Sequence, residues 1–372
     1  MHRALRTPHV APRASRSALR APSLFVAFFL LVGFFPSNTH PTSHPIASSL
    51  LPPPPLPHTQ AIAASGLLAV AEFNARSGAI IKELAMEPLN TCDKQLKLNI
   101  IDSESIGAGA TKAFIGAYNN ITTRPHIMVG TARSAAAMPT AVVSGIYDVP
   151  MITYWATSAK LDDMGEYPRF MRTIPTDDAV SFSVIQYWKG LGYKHAAMMF
   201  INDAYGEAYK ESLVKHGAAE GIAVTAFPFN LEDDAGIHKS VDKMKESGVN
   251  IVMVVAFTKG FKKIAEYATK VGMMGKGKMW CFGDAVISSD FDGLSPAAKQ
   301  AVHGSIRVVA AGALDGNAAW DGMMAKLKTT TASSFNPHYP SYFKVGKTEE
   351  ADFATAIDVK SGHLRDIGTY VK

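Results

Sequence analysis

Cysteine is scarce in this chain: Cys92 and Cys281 are the two among 372 residues. So few exclude a disulfide framework, and a chain this long buries enough apolar surface to need none. The two lie in stretches assigned below to different lobes, so two independent thiols are expected. Net charge is also scarce once its location is considered. The formal +5 arises from Arg3, Arg6, Arg13, Arg16 and Arg20, in a stretch of 40 residues without lysine or acid, leaving 32 basic residues against 32 acidic ones. A balanced body gives no electrostatic footprint for nucleic acid. Beyond residue 40 no apolar run is long enough to cross a bilayer. Catalytic signatures are missing too. No Gly-x-Ser-x-Gly, His-Glu-x-x-His or Cys-x-x-Cys occurs, and the 12 histidines are scattered. An enzyme is therefore disfavoured, and no cofactor or metal is expected.

What is present suits a globular protein of two domains: 47% hydrophobic and 19% charged residues. The run Leu24–Phe35, twelve apolar residues behind the basic flank, reads as a signal-peptide h-region or an uncleaved signal anchor. Residues 1–36 are thus assigned to targeting and the secretory pathway, with a membrane tether as the rival. Residues 37–60, with Pro52–Pro55, read as a stiff extended spacer, and the ordered protein is expected to begin after it. Asn120-Ile-Thr122 is a glycosylation sequon that matters only after secretion.

From residue 61 the pattern alternates. A helix is predicted over 61–84, a strand over 96–102, a helix over 111–119, a strand over 126–130, a helix to 146 and a strand over 149–155. Beyond Pro175 helices fall at 177–189, 206–220, 235–247 and 259–271, with strands at 195–201, 223–229, 250–257, 278–284 and 305–310. Apolar runs of five to eight residues alternating with helices of about 12 indicate an α/β fold with doubly wound parallel sheets covered on both faces. A weak helix is expected at 319–328, and the segment 313–372 reads as irregular and incomplete.

Gly-rich fragments do not carry a nucleotide site. Ile106-Gly-Ala-Gly-Ala-Thr111 lacks the third glycine and the later acidic residue of a dinucleotide fingerprint, and reads as the turn that starts a helix. Gly275-Lys-Gly-Lys278 lacks the spacing of a phosphate loop. Instead, hydroxyl, aromatic and carboxylate side chains fall at strand ends: Ser134, Thr157, Ser158, Tyr205 and Asp284. Ser134, with the N–H groups of Ala135 and Ala136, could receive a carboxylate; a plain helix cap worth about 1 kcal/mol is the favoured alternative. Thr157, Ser158 and Asp284 could equally cap the next turn of the chain. Tyr205 could lie over a ligand or be an ordinary loop aromatic.

These residues sit in longer motifs. Gly130-Thr-Ala-Arg-Ser134, the run Val149–Ser158 followed by Leu161, Tyr167-Pro-Arg-Phe-Met-Arg-Thr-Ile-Pro-Thr-Asp177 and Asp203-Ala-Tyr-Gly-Glu207 stand in order. Together they resemble the ligand-binding region of type I periplasmic-binding-protein-like receptors. Closest in pattern are the extracellular domains of class C G-protein-coupled receptors, with branched-chain amino-acid binding proteins behind them. The resemblance covers roughly 61–312. It implies two Rossmann-like lobes, placed at 61–175 and 176–312, closing on a small polar metabolite such as an amino acid. It also implies that Ser134 and the Ala135 backbone hold an α-carboxylate, that Thr157, Tyr205 and Asp284 hold an α-amino group, and that Asp177 assists from the second lobe. Trp155 and Ala156 complete the wall.

The chain departs from that pattern in several places. Trp155 stands where related receptors carry a small or hydroxyl residue, which narrows the pocket or favours an apolar or aromatic ligand side chain; Ala135 removes a second serine; Arg133 could reach an anionic ligand or face solvent, and solvent is favoured. The opening strand before the first helix is not recognisable, and the chain reads as truncated at its end. An extracellular ligand-binding domain, with a homo- or heterodimer through lobe 1, is the leading reading. A nucleotide-dependent enzyme and a receptor-like interaction module without ligand are the alternatives.

Overall fold

The computed structural model describes residues 32–35, 57–122, 124–286, 289–308 and 317–329. It begins with β1 (Val32–Phe35), α1 (Pro57–Ala75) and β2 (Gln95–Leu98). β1 pairs antiparallel with β2, Val32 opposite Leu98 and Phe35 opposite Gln95. The described residues thus include a short strand that precedes the spacer. An apolar run of this length satisfies a targeting segment and a strand equally, so periodicity alone does not separate them. The rest of that segment, and residues 36–56, lie outside the described residues.

The first helix is shorter than predicted. α1 stops at Ala75, followed by Arg76 with φ 51°. The Arg76 guanidinium then donates to the carbonyls of Cys92 at 3.0 Å and Lys94 at 2.7 Å. Asn74 exchanges two hydrogen bonds with the Leu96 backbone, at 2.9 and 2.7 Å, and so ties α1 to β2. Residues 82–85 form a separate 3₁₀ turn.

Next come α2 (Gly107–Asn119), β3 (Met128–Val129), α3 (Ser134–Ile146), β4 (Met151–Thr153) and β5 (Phe170–Arg172). The three strands form a parallel sheet in the order β3-β4-β5, with Met128 opposite Met151 and Ile152 opposite Met171. β5 was not predicted, because three residues are too few to show a period. The glycines of 106–111 lie inside the first turn of α2. A Cβ at Gly107 would come within 2.8 Å of Pro139 Cγ, so this glycine lets α2 lie close against α3. Phe114, Met128, Met151, Leu161, Tyr167 and Phe170 pack together as the core of this half.

The second half is the regular one. It comprises α4 (Asp177–Gly190), β6 (His195–Ile201), α5 (Ala204–Ala219), β7 (Ala223–Phe229), α6 (Asp234–Glu246), β8 (Ile251–Val255), α7 (Thr258–Lys270), β9 (Met279–Phe282), α8 (Ser289–Asp292), α9 (Pro296–Ala301) and β10 (Ile306–Arg307). α10 (Ala318–Thr329) closes the described chain. The sheet is parallel throughout, in the order β10-β9-β8-β6-β7. All five residues of β8 are buried, as a central strand covered on both faces requires. Each such apolar side chain contributes about 1.5–3 kcal/mol on burial. Two parallel sheets flanked by helices give the two-lobed α/β fold expected from the sequence.

Both cysteines are free; Cys281 is buried in β9, and burial pushes its thiol up to about 11. Among the described residues no helix is long and apolar enough to cross a membrane. The segment 330–372 lies outside the described residues.

Candidate functional site

Side chains from the two halves meet at Trp155–Asp284 and Arg133–Phe257, and each is positioned for a local reason. Tyr205 occupies the first turn of α5. Asp203 caps that helix, its Oδ1 accepting from the N–H groups of Tyr205 and Gly206 at 3.0 Å each. Gly206 lets the turn press onto the end of β6: a Cβ there would stand 1.8 Å from the Ile201 carbonyl oxygen. Tyr205 is consequently buried, with its ring 5.6 Å from that of Phe257. It is a fixed helical side chain rather than a loop aromatic.

Asp284 follows β9. Its Oδ1 accepts from the Tyr205 hydroxyl at 3.0 Å, and its Oδ2 accepts from the Trp155 indole N–H at 2.8 Å. Trp155 comes from the loop after β4, so this bond runs from one half of the fold to the other. Burial pushes the Asp284 carboxyl above the usual carboxylate range; Tyr205, Trp155, the Ala285 N–H and the Arg307 charge pull in the opposite direction.

Ser134 is the first residue of α3, but it is not the cap: Arg133 holds that position, without a side-chain capping bond. The Ser134 hydroxyl instead accepts the N–H of Ser158 at 3.2 Å, fastening the loop after β4 to the start of α3. The expected pair of free N–H groups is reduced, because Ala136 N–H already donates to the Arg133 carbonyl at 3.0 Å. Ala135 is the half-buried residue between them.

The wall from Ala156 to Ser158 is braced from behind by Arg172, whose role the sequence reading missed. One guanidinium nitrogen donates to the carbonyls of Ala156 at 3.1 Å and Ser158 at 3.0 Å, while the other pairs with Asp162 at 2.5 Å. Ala156 and Thr157 are buried, and the Thr157 carbonyl accepts the Asp177 N–H at 2.9 Å. Asp177 opens α4 and is 1% exposed. Burial raises its carboxyl well above the ordinary range, and nearby Asp284 adds to this; the Thr157 hydroxyl and the Arg172 charge oppose it. Asp177 Oδ2, Tyr209 Oη and Ser158 Oγ are buried polar atoms without a hydrogen-bond partner among the described residues. Burial raises the Tyr209 hydroxyl, and the Asp177 and Asp284 charges add to it.

Arg133 corrects an expectation. It does not face solvent: its guanidinium carbon lies 3.8 Å from the centroid of the Phe257 ring, and its Nε is buried. A planar, weakly hydrated cation over a ring face is a favourable contact. Burial lowers the pKa of this group, against the opposing pull of Asp203. Trp155, Tyr205 and Asp284 are thus one hydrogen-bonded cluster; Ser134, with Ser158, is a second; Thr157 and Asp177 are a third.

Residues 82–360 match the model of the receptor family ligand-binding region. The chain belongs to this family. Among curated proteins it is 28% identical over 165 residues to the "G-protein coupled receptor family C group 6 member A" of Carassius auratus, covering 42% of this chain and 19% of that protein. It is 26% identical over 182 residues to the "Metabotropic glutamate receptor-like protein E" of Dictyostelium discoideum, covering 47% of this chain and 22% of the relative. It is 24% identical over 233 residues to the human "Taste receptor type 1 member 3", covering 60% and 27%. The chain thus spans between 19% and 27% of the length of these relatives. The receptor family ligand-binding match runs through both sheets, and so includes every element that carries the clusters above.

Proposed function

We propose that this chain is an extracellular domain that holds a small polar metabolite, an α-amino acid, between its two lobes, with lobe limits near 61–175 and 176–312. One observation carries the reading. Asp284 is a carboxylate at a strand end between the two sheets, gripped by Tyr205 from its own half and by Trp155 from the other. A negative group with oriented donors, set between two lobes, suits an ammonium group. The loop fastened by Ser134 and the start of α3 offers the complementary donors for a carboxylate. Ser158 Oγ and Tyr209 Oη, buried and without partners among the described residues, supply further hydrogen-bonding capacity.

Receptor relatives support a sensing role over transport or catalysis, and they support placement on the outside of a cell. A homo- or heterodimer through lobe 1 belongs to the same proposal. The test is thermal shift and calorimetry with an amino-acid panel. A ligand that raises the unfolding midpoint should lose that effect in Ser134→Ala and Tyr205→Ala; a folded protein stabilised by no amino acid overturns the reading. A second reading, an interaction module without ligand, draws on the fact that both Asp284 oxygens already have protein donors. For that reading scattering should show no compaction with any small molecule.

A further inference from the structure

Trp155 stands in a position that the amino-acid reading reserves for the ligand. Its indole N–H lies 2.8 Å from Asp284 Oδ2, and Tyr205 already holds Oδ1, so the carboxylate has a protein donor on each oxygen. Other contacts also cross between the halves, among them the Arg133 guanidinium over Phe257 and the exposed Lys160–Glu211 pair at 3.1 Å. The exposed pair contributes little. The Trp155–Asp284 bond is partly buried and ends on a carboxylate, which makes it a stronger tie between the halves than the exposed pair.

We propose that the Trp155 indole is a built-in competitor for the cationic head of the ligand: it latches one half of the fold onto Asp284 of the other and must be displaced for binding. The inference rests on the amino-acid reading above. Its consequence is a threshold on affinity. An indole N–H is a single neutral donor, whereas an ammonium group brings a full charge and three donors. Exchange on Asp284 therefore favours an ammonium over the indole, and gives a hydroxyl or neutral amide no such advantage. Trp155 would then set an affinity threshold: it weakens every ligand that must displace it by the same factor, so a weakly held neutral molecule falls below useful binding while an ammonium does not. Latching also lowers the population of binding-competent protein, so affinity for every ligand is reduced by the latched fraction.

The experiment uses the full chain, with glycine and glycolate as probes; they share a carboxylate and differ in ammonium against hydroxyl. Trp155→Phe keeps a ring and removes the donor, while Asp284→Leu removes both acceptor oxygens from the opposite half. Circular dichroism checks that each variant is folded, and either one alone can report on the latch. Without ligand, both variants and the double variant should show the same increase in radius of gyration over the wild type, since all three lose the same bond between the halves. Trp155→Phe should bind glycine about 10- to 100-fold more tightly, the range set by one hydrogen bond to a charged group. Glycolate should gain by the same factor, leaving the glycine-to-glycolate affinity ratio unchanged. Unchanged scattering, with glycine bound equally by wild type and Trp155→Phe, would overturn the latch and leave the amino-acid reading standing. Expansion of both variants with no glycine or other amino acid bound would uphold the latch as a closing contact and overturn its role against a ligand together with that reading.

Discussion

The Tyr205 hydroxyl reaches Asp284 because residue 283 has no side chain: a Cβ on Gly283 would lie 3.1 Å from Tyr205 Oη, with Met253 and the Val254 carbonyl behind it. Gly283→Ala therefore moves the hydroxyl by a few tenths of an ångström and weakens the 3.0 Å bond to Asp284. The expected cost is about 1 kcal/mol in stability, the worth of one such bond. Tyr205→Phe should cost a similar amount, and the double variant little more than either single one, because both act on the same bond. Chemical denaturation of the four proteins measures this; full additivity would mean that Gly283 serves something other than the hydroxyl.

Gly206 and Gly116 are both helical and predict opposite signs. At Gly206 an added Cβ meets backbone at 1.8 Å, whereas at Gly116 it meets nothing within 4 Å. Gly206→Ala must lift α5 from the end of β6 and should cost about 3 kcal/mol, the upper range for forced overpacking, with loss of the Tyr205 position. Gly116→Ala should stabilise by about 0.5–1 kcal/mol, by reducing the freedom of the unfolded chain. Urea midpoints at constant slope are the check.

These positions also show how much the sequence disclosed. β6 and β7 fall on the predicted residues, because strands of a parallel sheet print as apolar runs bounded by turns. The helices around them end before Gly192, Gly221, Gly248 and Gly272, all at positive φ, a punctuation that can be read directly. What stayed hidden depends on distant partners. Arg133 looked solvent-facing because Phe257, the ring it stacks on, lies in the other half. Trp155 reads as a bulky wall until Asp284, 129 positions away, is seen to accept its N–H. Arg172 belongs to a quoted motif, yet its hold on two carbonyls leaves no trace in residue types.

Asp177 should make stability depend on pH in a defined direction. Its folded-state pKa is raised, by burial first and by Asp284 second. A raised carboxyl contributes stability that is fully present below the unfolded-state pKa and is lost as pH rises through the folded one. Asp177→Asn mimics the protonated form at every pH. The variant should gain on the wild type as pH rises from the ordinary aspartate value of 3.8 toward the raised folded value, by at most about 1.4 kcal/mol per pH unit. At lower pH the two should converge. Denaturation midpoints across that range test it, and a gain that is flat with pH would mean that the Asp177 carboxyl is not held protonated by the fold.

Arg172 supports the wall that carries Ala156 to Ser158, and the geometry of its head group, more than its charge, decides how well. A planar guanidinium serves two carbonyls with one nitrogen and Asp162 with the other. An ammonium carries the same charge without the fork, so Arg172→Lys should release at least one carbonyl. The expected loss is about 2 kcal/mol, within the range for hydrogen bonds to a charged group. Asp162 offers the contrasting case: its side chain is 57% exposed, so Asp162→Asn should cost under about 1 kcal/mol despite removing the formal ion pair. If net charge were what mattered, Arg172→Lys would be mild and Asp162→Asn would hurt as much. Thermal unfolding of the two variants distinguishes these cases. Moving the Arg172 charge should also raise the Asp177 carboxyl further, since that charge now opposes the rise. The pH window over which Asp177→Asn gains on its parent should therefore widen when both proteins carry Arg172→Lys, a shift that loss of wall packing alone would not produce.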